Sequence, residues 1–178
     1  MPETARNLLK YLMKEASIED WCDYIEMDNK NFWTLQNNWM YNVEQKYSQE
    51  AALQFDGLCY GRAIEVAAYR LKKMFTFGND DLDTLAKIYQ LTPAGSYIDI
   101  EFIRESENVL LRRVRDCPMQ AVRLGKGMEP IECKPALTIA AANIAKVVNP
   151  EIKITKVLCP PDPHPDDLWC DVVYELKR

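Results

Sequence analysis

The sequence lacks several features that would place it in a familiar class of protein. It has no apolar run long enough to span a bilayer. Its N-terminal segment mixes acids with an amphipathic pattern, unlike the apolar centre of a signal peptide. The formal net charge is −5, and no basic stripe runs along the chain. Because an apolar run of membrane-spanning length is missing, we do not expect a membrane protein. Nucleic-acid-binding proteins usually carry a clear basic patch, so we do not expect one of these either.

The nearest approach to a basic cluster lies around one predicted strand and the turn after it. It consists of Arg112, Arg113, Arg115 and Arg123. Arginines on a strand most often occupy the face that is exposed to water. We therefore interpret this group as a solvated strand face.

Composition and length indicate an ordinary globular protein. Apolar residues make up 48% of the 178 residues and charged residues 28%, which is typical of a single packed domain. No internal repeat is visible. We predict one domain over residues 1–178, with a helical part at 1–92 and an α/β part at 93–178. Six cysteines without a secretory signal favour the reducing cytoplasm, where thiols are core residues, metal ligands or nucleophiles.

The first half of the chain has the apolar spacing of helices. Apolar residues recur at helical intervals from Phe32 to Tyr47 and from Ile64 to Phe75. Asn79, Asp80 and Asp81 have the composition of a helix start, because acids are favoured at the positive end of the helix dipole. The sequence predicts three or four helices before residue 93.

After Pro93–Gly95 the apolar period changes to two, which is typical of strands. Strands are predicted from Ile98, in VLLRRVRD, in IKITKVL and in LWCDVVYEL, with a long helix opening at Pro135 between the two pairs. The fold class is therefore α+β, with an N-terminal helical layer packed on a four-stranded, mainly antiparallel sheet in β-β-α-β-β order. In the last strand Cys170 belongs to the apolar face and should point into the core.

The chain has a single histidine, and it lies in the segment CPPDPHPDDLWC, which holds four of the ten prolines and two of the six cysteines. Three interpretations remain open. Proline-rich backbone makes a stiff connection between strands, on which His164 is simply exposed. Alternatively, the stiffness holds the imidazole in a metal site or beside a reactive thiol.

A zinc site would draw its ligands from separate elements, because the sequence has no Cys-x-x-Cys pair. A reactive thiol would be Cys117, since Cys117 precedes Pro118 at a predicted helix start, where the dipole favours the thiolate, and His164 would be its base. The candidate catalytic residues are therefore Cys117 and His164. The candidate zinc ligands are Cys117, Cys133, His164 and Cys170, with Cys159 in reserve.

Several segments of the chain resemble a known family. The most specific are CPMQAVRLGKG, ECKPA, NPEIKITKVLCPPDPHP and WCDVVYEL, and the likeness extends upstream to NFWTLQNNWMYNVEQKYSQEAALQFD. They resemble a family of small prokaryotic proteins known only as a domain of unknown function. The architecture is also similar to aminothiazoline-carboxylate hydrolases and, more distantly, to four-vinyl-reductase-type ligand-binding domains. The first likeness implies C–N hydrolysis of a small cyclic substrate, and the second implies a helix-lined pocket for a small or apolar ligand.

Two hypotheses about function follow. One is a small-molecule hydrolase that uses the cysteine and histidine cluster; the other is a non-enzymatic binding or sensor module. We also predict a homodimer, because Trp33, Trp39, Met40 and Tyr41 cannot all share one face of their helix. Some of these side chains would then meet a ligand or a second copy of the chain.

Overall fold

A computed structural model describes residues 5–177 and has the predicted α+β architecture. Within that range the chain forms seven helices and four strands. The helices are α1 (Ala5–Glu15), α2 (Ile18–Lys46), α3 (Gln49–Met74), α4 (Leu82–Gln90), α5 (Pro93–Tyr97), α6 (Pro118–Gly125) and α7 (Lys134–Val148). The strands are β1 (Glu101–Ser106), β2 (Val109–Val114), β3 (Ile152–Leu158) and β4 (Cys170–Leu176). The ends of the predicted domain, residues 1–4 and 178, lie outside the described residues, and the single domain stays a prediction.

Short polar side chains set the starts of the main N-terminal helices. Ser17 caps α2 in a reciprocal capping box with Asp20, and Ser48 caps α3 through the backbone N–H of Ala51. Asp81 accepts from the backbone N–H groups of Asp83 and Thr84 at the start of α4. The predicted helix start at Asn79–Asp81 is therefore confirmed. None of the helices in the described range is long and apolar enough to cross a membrane.

The four strands form one sheet in the order β1-β2-β4-β3, and each neighbouring pair is antiparallel. On β4 the side chains of Cys170, Val172 and Tyr174 are buried, which confirms the predicted inward face. Pairing of β2 with β4 sets Arg112 opposite Val172 and Val114 opposite Cys170. The central strands therefore bring these side chains together beneath the helices.

The core lies between the sheet and a layer of helices. α7 packs along α3 and against β3, and buried residues of α3, α4 and α7 join those of the strands in one hydrophobic core. The largest fully buried side chains include Tyr89, Tyr174, Ile64, Leu85 and Ile144. The close approach of α3 and α7 depends on glycine, because a Cβ at Gly61 would lie 2.7 Å from the Cγ2 of Ile139.

The start of the first strand differs from the sequence prediction. The residues predicted as the first part of a strand, Ile98 and Ile100, are buried but precede β1, which begins at Glu101. The cause is α5, which the period-two pattern did not reveal. Thr92 caps this short helix and Pro93 occupies its first turn, so that the chain is still leaving a helix at Ile98.

Candidate functional site

A cavity of about 70 Å³ lies between the helical layer and the inward face of the sheet. That volume has room for a few water molecules. Apolar and aromatic side chains form much of its wall. Its charged, amide, phenol and thiol side chains are Gln36, Asp56, Tyr60, Tyr89, Arg112, Cys117, Cys133 and Cys170.

Arg112 enters the cavity from the middle of β2. Leu110, Arg112 and Val114 point to the same face of this strand by the alternation of side chains, and all three are buried. Arg112 is only 3% exposed, so its assignment to a solvated strand face was wrong. The physical reason is register: β2 is a central strand, and its inward face is covered by the helices.

Arg112 has few partners for a buried charge. Its Nη1 donates to the Sγ of Cys170 at 3.4 Å, and its guanidinium carbon lies 5.0 Å from the centre of the Tyr89 ring. Its Nε has no hydrogen-bond partner, and within residues 5–177 no carboxylate forms an ion pair with it. The hydroxyl of Tyr174, on the neighbouring strand, also lacks a partner among the described residues. Buried charged groups are normally paired, so the lack of a direct ion-pair partner for Arg112 in the described structure is unusual.

Asp56 lies on α3 and is 6% exposed. Its Oδ1 accepts a hydrogen bond from the Nε2 of Gln36 at 2.6 Å, whereas the Oε1 of Gln36 has no partner in the described structure. Burial raises the pKa of Asp56 from 3.8 to about 6, and the hydrogen bond from Gln36 acts in the opposite direction. The cavity thus contains a carboxyl group that titrates close to neutral pH.

Three of the predicted cysteines line this one cavity: Cys117, Cys133 and Cys170. Cys117 is the N-cap of α6, as the sequence predicted, but burial raises the pKa of its thiol to about 11. The pKa of Cys133 is raised by its hydrogen bond with Cys159 and by burial. Burial also raises the pKa of Cys170, whereas the positive charge of Arg112 acts to lower it. These cysteines are therefore protonated thiols at neutral pH, because burial outweighs the influences that favour a thiolate.

His164 does not line the cavity. It is partly exposed, with its ring centre 5.3 Å from that of Trp169, and it borders a separate surface depression that includes Glu132 and Asp162. An ion pair of 2.6 Å between Lys134 and Asp162 anchors the proline-rich segment to the start of α7. The segment therefore runs over the outside of the molecule after the buried Cys159, and His164 is separated from the cysteines of the cavity.

The predicted zinc ligands are not brought together as one set. Among the side chains in the described part of the chain, no group of three or more His, Cys, Asp and Glu could hold a metal ion. Cys133 is paired with Cys159, Cys170 receives Arg112, and His164 lies on the outer segment. The arrangement gives zinc binding no support, and the prediction stays untested.

Sequence reasoning missed the residues that give the cavity its charge. Arg112 is a lone cation at an inward position of an otherwise apolar strand face. Asp56 lies between Leu53 and Tyr60 at helical spacing, so it is a charged residue on an otherwise apolar helix face. In both cases, a single charged residue on an apolar face was the sequence signal that could have indicated a buried charge.

The fold and the cavity together define an α+β protein with a charged internal cavity between its helices and its sheet. The chain belongs to a family whose model is described as a family of unknown function (DUF6125) and matches residues 14–176. No curated protein and no solved structure matched the chain. The likeness to a family of unknown function is therefore confirmed, whereas the likeness to aminothiazoline-carboxylate hydrolases and four-vinyl-reductase-type domains has no support from these comparisons.

Proposed function

We propose that the protein binds a small anionic molecule in the cavity around Arg112. The observation that carries the proposal is the buried guanidinium of Arg112, whose Nε is unpaired and with which no carboxylate of the described chain forms an ion pair. A guanidinium is planar and presents its donors as a fork that matches a carboxylate. An anionic ligand would therefore supply both a direct ion-pair partner and the missing acceptor.

The wall of the cavity suits an organic anion better than an inorganic one. Apart from its few polar groups it is apolar and aromatic, with Trp33, Tyr60 and Tyr89 among the lining residues. Small-molecule sites usually combine such a wall with a few convergent polar groups. Carboxylic acids fit this description, because one end is charged and the remainder is apolar.

The test is calorimetric titration of the purified protein with butyrate and benzoate, using Arg112→Met and Arg104→Met. Arg112→Met keeps the volume of the side chain but removes its charge, and we expect it to abolish binding. Arg104→Met removes an exposed charge on β1 and should leave binding unchanged. Equal binding by Arg112→Met and the wild-type protein would overturn the proposal.

Binding should also weaken as the pH rises through about 6, because ionised Asp56 then adds a negative charge to the cavity wall.

A second candidate function is hydrolysis of a small cyclic substrate in the same cavity. The observation that favours it is Asp56, whose pKa near 6 suits a general base at neutral pH. Arg112 would orient an anionic substrate. Turnover of cyclic amides or thiazolines that is lost in Asp56→Asn and kept in His164→Ala would support this candidate. Loss of turnover in His164→Ala would instead favour the hypothesis in which His164 activates Cys117.

Zinc binding through Cys117, Cys133, His164 and Cys170 remains a hypothesis, and metal analysis of the purified protein tests it directly. If zinc is bound, the amount should be close to one ion per chain and chelation should destabilise the fold. The cytoplasmic location also stays a prediction. All six cysteines are free thiols in the structure.

A further inference from the structure

A second, larger space opens on the surface directly beside the Arg112 cavity. It is a groove of about 340 Å³ between α2 and α3. Six of its lining residues are Phe32, Leu35, Trp39, Cys59, Tyr60 and Ala63, and their side chains make its surface almost wholly apolar. Leu35 is 71% exposed there, although it is a large apolar residue. An exposed apolar groove of this kind marks a place where another molecule binds.

The groove and the cavity share part of their walls. Gln36, Asp56 and Tyr60 line both of them, so the two spaces adjoin. At the boundary the Nε2 of Gln36 donates to Asp56, and the Oε1 of the same amide has no partner among the described residues. The hydrogen bond between the side chains of Gln36 and Asp56 therefore lies between the groove at the surface and Arg112 in the cavity.

We propose that groove and cavity together hold one amphiphilic carboxylic acid, with its carboxylate on Arg112 and its apolar chain between α2 and α3. The inference rests on the proposed function and adds the class of ligand. Two independent features point to the same molecule: a buried, unpaired cation at one end and an open apolar surface at the other. A short acid would satisfy the first feature and leave the second exposed to water.

The test is a titration with straight-chain acids of increasing length, from butyrate through hexanoate and octanoate to decanoate. Each methylene that enters the groove should raise the affinity about fourfold, because burial of one CH₂ contributes ~0.8 kcal/mol. The methyl ester of each acid lacks the charge and serves as the control for binding to other apolar surface. Esters that bind as tightly as the acids would overturn the inference.

A matched pair of variants separates the groove from the rest of the surface. Leu35→Glu places a carboxylate in the groove, whereas Leu58→Glu makes the same change at an exposed leucine of α3 that does not line the groove. Both leucines are largely exposed, so neither change should prevent folding. We expect Leu35→Glu to lower decanoate affinity at least tenfold and to leave butyrate binding intact, and Leu58→Glu to change neither.

The outcomes distinguish failure of the inference from failure of the proposed function. If butyrate binds through Arg112 but affinity is independent of chain length, the proposed function stands and the amphiphilic ligand is wrong. If neither short nor long acids bind, the proposed function itself fails. If Leu35→Glu changes the mass of the protein in light scattering but not the binding of decanoate, the groove is covered by a second copy of the chain and the inference is overturned.

Discussion

Arg112 and Arg113 are neighbours on β2, and their environments are opposite. Arg113 points to the other face, where its Nε and Nη2 donate to the two carboxylate oxygens of Asp171 at 2.9 and 2.7 Å. Arg112 points into the core, where a thiol and an aromatic ring are its partners. A two-donor pair with a carboxylate is the usual arrangement for a partly buried arginine. The absence of such a carboxylate for Arg112 in the described structure is what makes this residue the centre of the site.

Asp56→Asn should stabilise the protein at neutral pH. The folded state keeps the proton of Asp56 up to a pH of about 6, whereas the unfolded state releases it near 3.8, so wild-type stability falls as the pH rises between these values. Asparagine cannot ionise and keeps the oxygen that accepts from Gln36. At pH 7.5 the variant should therefore unfold with a free energy higher by up to about 3 kcal/mol.

Denaturant unfolding at pH 7.5 and at pH 4 checks this prediction. The advantage of Asp56→Asn should be much smaller at pH 4, because the wild-type carboxyl is then protonated in the folded state. Asp28→Asn, which changes an exposed carboxyl on α2, is the control and should have little effect at either pH. The same difference at both pH values would show that burial of the charge is not the cause.

α3 and α7 pack closely against each other in the helical layer. The backbone oxygen of Gly61 accepts a hydrogen bond from the Nδ2 of Asn143 at 3.0 Å, and Ile139 lies against both Gly57 and Gly61. The small residues let the helices approach until the side chains of α7 meet the backbone of α3. This approach positions α3, and therefore Asp56, over the sheet.

Gly61→Ala should destabilise the protein by about 1–3 kcal/mol, because the new Cβ would lie 2.7 Å from the branched Cγ2 of Ile139. The gain in helix propensity, about 1 kcal/mol, does not remove this clash. Gly57→Ala is the control: its Cβ would lie 2.9 Å from the terminal Cδ1 of Ile139, which can rotate away, and at an ordinary 3.6 Å from the Cα of Ala136. We expect that change to cost much less.

Thermal or denaturant unfolding of the two variants gives the comparison. A second measurement uses Ile139→Ala in the Gly61→Ala background, which removes the clashing atom and should recover part of the lost stability. Additive effects of the two changes would contradict a direct contact between them.

At the scale of the whole molecule, burial is distributed unevenly. No side chain between residues 7 and 32 is buried, although Leu12, Ile18, Ile25 and Met27 are large and apolar. Further along α2, Trp33 and Met40 are buried, Trp39 is partly buried and Tyr41 is exposed. These four side chains of α2 therefore lie in different environments. The homodimer remains a prediction; in it, the exposed apolar side chains would contact a second copy of the chain.

Hydrogen exchange and light scattering test that prediction together. In dilute solution the amides of residues 7–30 should exchange much faster than those of α7, because residues 7–30 have little buried surface to protect them. If copies pair through this region, protection there should rise with protein concentration in step with the measured mass. Ile25→Glu should prevent both changes, and Leu58→Glu should not. A mass of one chain at every concentration would rule out the homodimer.

Most of the elements were predictable from the sequence, because their causes are local, although α5 was missed. The cap at Asp81, the strand period around Val172 and the helix that opens beside Pro135 depend on residues only a few positions apart. Tertiary structure alone decided the site. Strand register and helix packing buried Arg112 without a carboxylate, and the anchored proline-rich segment kept His164 outside the cavity. Such neighbours come from distant parts of the chain, and no local pattern of apolar and polar residues encodes which of them meet.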